Sequence, residues 1–208
     1  MIEHIYQFGD QIKLKRNLDC GSILKHLEDY QDEWSQYNTF KPLNNRQGLS
    51  VINENGIVGP GVDLTSLYEW NKLYGTNYVE LDFNTPTPIY ETSEHLKNLF
   101  GDIVPYCFRT HFLRLGYGGF FPPHRDHYMF EQTSFRLVVP IKNCNPPYSR
   151  FMIEDRTLHW EMGSLYVVNT TKEHTLFNAS EEDNIWLIIN VKLCEETVKF
   201  VSRNLSII

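Results

Sequence analysis

The sequence predicts a mainly β, α+β domain in which a C-terminal jelly roll is covered by an N-terminal helical layer. Three observations carry this. From Tyr106 onward, short apolar runs of strand length recur between Gly, Pro and Asn punctuation. Before that point the apolar residues recur at helical spacing. An aromatic content of 14% suits pleated surfaces, and 208 residues with 41% hydrophobic content are enough to bury one substantial core. One domain over residues 1–208 is expected.

In chain order, residues 22–37 place Ile23, Leu24, Leu27, Tyr30 and Trp34 three and four apart, which makes one apolar helix face. Residues 64–74 and 92–100 are shorter helices, the second opening on the capping sequence Thr92-Ser93-Glu94. Residues 46–52 read as a strand. The β-rich part follows as CFRTHFLRL, SFRLVVPI, RFMIE, TLHWEM, SLYVVN, HTLFN and NIWLIINVKL. Turn signals separate these runs at Gly116, Gly118-Gly119, Pro122-Pro123, Asn145-Pro146-Pro147, Gly163 and Asp183-Asn184, the pattern of an antiparallel sandwich or barrel. Residues 195–205 read as a closing helix. The partition is a mixed N-terminal layer over 1–105, a jelly-roll core over 106–193 and a C-terminal helix over 194–208.

A net charge of −7 without any Lys/Arg run argues against a sequence-independent grip on nucleic acid. The N-terminus lacks a basic start and apolar stretch, and no run is apolar enough to span a bilayer, so no membrane partner and a cytoplasmic location are expected. Cys20, Cys107, Cys144 and Cys194 are scattered without a C-x-x-C pair and read as free packing thiols.

The chemistry concentrates around Phe120-Phe121-Pro122-Pro123-His124-Arg125-Asp126-His127. His124 and Asp126 are two apart, so in extended backbone both side chains leave one face. His174, after the strand SLYVVN and the loop Thr170-Thr171-Lys172-Glu173, supplies a third ligand. Two histidines and one carboxylate with open positions form the facial set used for non-haem Fe(II) oxygen chemistry. His127, three residues from His124, points away in extended backbone and is read as an outer or substrate-facing group. His111 and His159 alternate within strand-like runs and read as structural. Tyr166, Trp160 and Trp186 read as core.

From about Phe112 to Leu193 the order of landmarks is L-R-L-x-x-G, P-P-H-R-D-H, F-R-L-V-V-P-I-K-N, the strand around Phe151, M-G-S-L-Y-V-V-N, H-T-L-F-N-A-S and I-W-L-I-I-N-V. This stretch resembles the aspartyl/asparaginyl β-hydroxylase-like family of Fe(II)/2-oxoglutarate-dependent oxygenases, which also includes relatives that hydroxylate free proline. The resemblance implies a double-stranded β-helix, the cupin-like form of the jelly roll. It further implies Fe(II) on His124, Asp126 and His174, 2-oxoglutarate as co-substrate and dioxygen as oxidant. The reaction it implies is hydroxylation of an amino-acid side chain, free or in a peptide, with release of succinate and carbon dioxide. Asn169 and Asn178 are candidate partners for the ligand histidines, and Asn178 is also counted among the cofactor-contacting residues.

In that family an Arg about ten residues beyond the distal His grips the far carboxylate of 2-oxoglutarate; here the position is Asn184. A neutral amide binds a carboxylate more weakly than a planar guanidinium. Arg136, on the F-R-L strand, is the candidate compensating cation, with the solvent face of that strand as its alternative position. Arg114 and Arg125 are the other nearby cations. Two further functions stay open at this point: a cupin-like metal enzyme that does not use 2-oxoglutarate, motivated by Asn184, and a non-catalytic jelly-roll module with a structural metal.

Overall fold

The computed structural model describes residues 2–42, 45–126 and 133–206. Its strands are β1 (Gln11–Asn17), β2 (Ser35–Gln36), β3 (Arg46–Asn53), β4 (Thr85–Pro86), β5 (Cys107–Leu115), β6 (Phe120–His124), β7 (Ser134–Lys142), β8 (Ser149–Ile153), β9 (Arg156–Thr157), β10 (Ser164–Val168), β11 (His174–Asn178) and β12 (Asn184–Lys192). A large antiparallel sheet runs β1-β10-β7-β12-β5-β3-β2, with β4 on β3, and a smaller one runs β6-β11-β8-β9.

Alternation along β12 shows how the chain builds two cores. Trp186 and Ile188 turn toward the small sheet, where they meet Leu113, Val138 and Tyr166 from the large sheet and Phe151, Ile153 and Leu176 from the small one. Ile185, Leu187, Ile189 and Val191 turn the other way and are covered by helices. The covering residues include Ile23 and Leu27 of the helix Cys20–Glu28, Leu96, Leu99 and Phe100 of the helix Glu94–Phe100, and Phe200 and Val201 of the helix Glu195–Asn204. The inner core is therefore the barrel interior, and its open end is where the site lies. This is the jelly-roll arrangement of cupin-like folds.

The N-terminal part is less helical than its periodicity suggests. Strands β1 and β3 extend the large sheet by pairing with β10 and β5. The predicted helix over residues 22–37 stops at Glu28 and gives way to a short 3-10 turn, Gln31–Glu33, and then to β2. Glu28, Asp29, Asp32 and Glu33 would crowd the negative end of the helix dipole, which explains the early stop. The helix Leu67–Tyr74 is capped by Ser66, and the helix Glu94–Phe100 by Ser93, whose hydroxyl accepts from Leu96 N. Of the run TLHWEM only Thr157 stays in a strand. Asn145 brackets Trp160, accepting from its N–H and donating to its carbonyl, so the indole can turn into the barrel. All four cysteines are free thiols.

One buried acid lies under β3. Asp63 is fully buried, its Oδ2 accepts from Ser50 Oγ at 2.6 Å, and its Oδ1 has no partner. Burial pushes its carboxyl up to about 6, against the opposing hydrogen bond from Ser50. The folded state therefore holds this proton more tightly than the unfolded chain, and stability declines as pH rises through the interval from the ordinary Asp value to about 6. Asp63→Asn should flatten that decline and raise stability at neutral pH by about 1–3 kcal/mol. Urea midpoints measured across that pH interval check it, and an unchanged slope in the variant refutes it.

Candidate metal centre

The prolines of β6 dictate where the site can form. Pro122 and Pro123 donate nothing to a ladder, and β6 tolerates them because it is an edge strand of the small sheet. On its paired side β6 meets β11, and His124 stands directly opposite His174 in register. The imidazole centroids are 4.3 Å apart. Just beyond β6, the Asp126 backbone N–H donates to Thr170 O at 3.0 Å, which brings the carboxylate back toward the histidines.

Asp126 Oδ1 lies 3.5 Å from His124 Nε2 and 3.9 Å from His174 Nε2. One ligand atom from each of the three residues falls within 4.8 Å of the others. Both Nδ1 atoms are turned away, toward Pro122 O at 2.8 Å and Lys172 O at 3.1 Å. A Nδ1–H donated to a carbonyl fixes the tautomer that leaves Nε2 as a lone-pair donor. Burial pushes His174 down to about 4, so it is neutral, as a ligand must be. Burial works against ionisation of Asp126, but the Arg136 guanidinium and both histidines outweigh it and hold the carboxyl well below the usual range. Two imidazoles with Nε2 turned inward and one ionised carboxylate, converging on one point, fit a divalent first-row metal that keeps open positions.

The open side faces a small cavity of about 50 Å³ whose walls include Leu113, Val138, Phe151, Leu176 and Ile188. His111, Arg136, Thr170, Tyr37 and Phe121 complete it with the ligand histidines.

The sequence model of the aspartyl/asparaginyl β-hydroxylase family matches residues 22–193. The chain belongs to that family. Its members are Fe(II)/2-oxoglutarate hydroxylases, and the His-x-Asp…His triad of such enzymes is present here. The structure is similar to a prolyl-4-hydroxylase from Pseudomonas putida, with 12% identity, 92% of this chain and 97% of the other covered, and a TM-score of 0.50. An oxidoreductase of the 2OG-Fe(II) oxygenase family from Burkholderia pseudomallei matches at 14% identity over 51% of this chain and 57% of its own, with a TM-score of 0.36. The cupin domain of Schizosaccharomyces pombe Cnp3 matches at 8% identity over 46% and 63%, with a TM-score of 0.34. At these identities the likeness is one of fold. No curated protein matches the chain.

Within this hydroxylase-family barrel, the other residues singled out in the sequence take varied positions. Arg136 faces the cavity rather than solvent; its Nη1 is 2.7 Å from Asp126 Oδ2, an ion pair without hydrogen-bond alignment. Its Nε and Nη2 donate to Asn190 Oδ1 at 3.2 and 3.1 Å. Asn184 is fully buried at the far end of β12, and its Oδ1 accepts from Trp186 Nε1 at 3.1 Å. Neither Asn169 nor Asn178 is bonded to a ligand histidine. Asn178 donates to Leu115 O and Glu182 O and so ties the β11–β12 turn, while Asn169 donates to Asp10 Oδ1. Backbone carbonyls do the bracing instead, because the strand and loop next to each histidine already present them.

Arg114 is held by Gln47 Oε1 and lies 4.3 Å over Trp34, and Arg125 is exposed. His127 lies outside the described residues. His159 is exposed, whereas His111 is buried against the cavity with its Nδ1 unpartnered. Tyr37, Phe121 and Thr170 are wall residues that pattern reading missed. Tyr37 had no local signal, since it reaches the site only through the pairing of β2 with β3.

Proposed function

We propose that this chain is an Fe(II)- and 2-oxoglutarate-dependent dioxygenase that hydroxylates an amino-acid side chain, free or within a peptide. The observation that carries the reading is the convergence of His124, Asp126 and His174 on one point beside a walled cavity. Those three residues would hold Fe(II). With 2-oxoglutarate and dioxygen, that ion supplies the chemistry that gives succinate, carbon dioxide and one oxygen atom on the acceptor carbon.

The chain's own part is orientation and exclusion. Pro122 O and Lys172 O hold the imidazole planes, and Arg136 steadies the carboxylate of Asp126 through the oxygen that does not face the histidines. Leu113, Val138, Leu176 and Ile188 keep bulk water from the open side.

Adding 2-oxoglutarate to the anaerobic Fe(II) protein should raise a weak visible charge-transfer band, and admitting dioxygen with an amino-acid and peptide panel should release succinate. A second reading, a cupin-like metal enzyme that dispenses with 2-oxoglutarate, is favoured by the neutral Asn184. Tight iron binding with no calorimetric affinity for 2-oxoglutarate would select it, and would sink the first.

A further inference from the structure

Arg46 opens β3 opposite Leu115 of β5, which in turn stands opposite Asn184 of β12, so the three share one row across the large sheet. Its guanidinium lies 4.0 Å over the ring of Phe121 and 5.5 Å over that of Tyr37, both walls of the metal cavity. The residue is only 3% exposed, yet its Nε has no hydrogen-bond partner. Among the described residues no carboxylate forms an ion pair with it, whereas Arg109 is paired with Glu80, Arg136 with Asp126 and Arg114 with Asp183. A buried cation without an anion is strongly unfavourable, and such a site is relieved by a ligand that brings the negative charge.

The space beside it suits that ligand. A second cavity of about 270 Å³ is bordered by Arg46 and also by Tyr37, Phe121 and His124, the residues it shares with the metal cavity. Lys41 and Arg109 also border it, and among the described residues no acidic one does. A molecule that reaches the metal past His124 can therefore place an anionic end against Arg46.

We infer that Arg46 is the anchor for a carboxylate bound beside the metal centre. The inference rests on the reading of the site as an iron- and 2-oxoglutarate-dependent one. The carboxylate has two sources: the far end of 2-oxoglutarate, for which Asn184 offers no cation, or the carboxylate of an amino-acid acceptor. In either case the planar guanidinium offers a forked, charge-assisted contact that an amide cannot replace.

The test uses the anaerobic Fe(II) protein as wild type, Arg46→Met, which keeps an apolar stem over Phe121, and Arg46→Lys. Each is titrated with 2-oxoglutarate and with 2-oxobutyrate, which has the same chelating end but no far carboxylate. The 2-oxoglutarate complex is then titrated with free amino acids and their carboxamides, read by displacement of the charge-transfer band. If the co-substrate is the source, wild type prefers 2-oxoglutarate over 2-oxobutyrate by about tenfold or more, Arg46→Met abolishes the preference and Arg46→Lys restores part of it. If the acceptor is the source, Arg46→Met keeps that preference but loses discrimination between amino acid and carboxamide. Both discriminations unchanged in Arg46→Met, or a lowered melting temperature as the variant's only effect, overturn the inference. Wild-type iron protein with no affinity for 2-oxoglutarate overturns the function reading itself, an outcome visible before any variant is made.

Discussion

His174→Ala lowers Fe(II) affinity by at least about 100-fold, because it removes a ligand outright where loss of a mere orienting partner already costs 10–100-fold. The loss is not repaired locally. Asp126 Oδ2 is committed to Arg136, and the ring facing His174 across the β6–β11 pair is His124, already a ligand candidate. Succinate formation should disappear with the iron. Because His174 is buried but neutral, alanine leaves no stranded charge, and the barrel should stay folded. Calorimetric titration of the metal-free protein under argon measures the change, with the exposed His159→Ala as a control that should match wild type. Affinity within about threefold of wild type in His174→Ala would remove His174 from the ligand set.

Trp186→Ala is expected to be the most destabilising single truncation in the barrel, by about 3–5 kcal/mol. The indole is fully buried, with ring centroids 5.3 Å from Trp160 and 5.8 Å from Phe151. Truncation opens a large void among aromatic groups that are themselves held in place: Trp160 by the Asn145 bracket and Phe151 by its register opposite Leu176. It also removes the donor to Asn184 Oδ1. Equilibrium urea unfolding is the check, and a loss below about 1 kcal/mol would mean that the inner core collapses to fill the gap. Phe151 also stacks on the His174 ring at 6.0 Å, so movement of the aromatic floor should loosen the metal site as well.

Much of the barrel was legible because its strands obey a period of two and are bounded by Gly, Pro and Asn. Runs such as CFRTHFLRL and NIWLIINVKL became β5 and β12 nearly residue for residue. Where a strand is short or ends on an edge, that signal fails. The proline pair in β6 argued for a strand's end, yet the strand continues to His124 because an edge needs no donors on its outer side. The helix pattern over residues 22–37 was real only as far as Glu28, since apolar spacing takes no account of carboxylates gathered at a helix C-terminus. Asn169 and Asn178 were plausible braces by proximity in sequence, but the Asn169 amide is spent on the distant Asp10 carboxylate and that of Asn178 on the β11–β12 turn.

The sequence by itself determined the local terms of the site: the residue types His124, Asp126 and His174, the short interval that keeps the first two near one strand end, and the order of strands that returns His174 to the same region. These follow from backbone geometry over a few residues, which composition and spacing record directly. Tertiary structure alone decided that His174 stands opposite His124, fifty residues away, that Arg136 binds Asp126, and that Arg46 is buried without an anion among the described residues. Those outcomes depend on register and on which faces the two sheets bury against each other, a global balance of burial that no window of sequence contains.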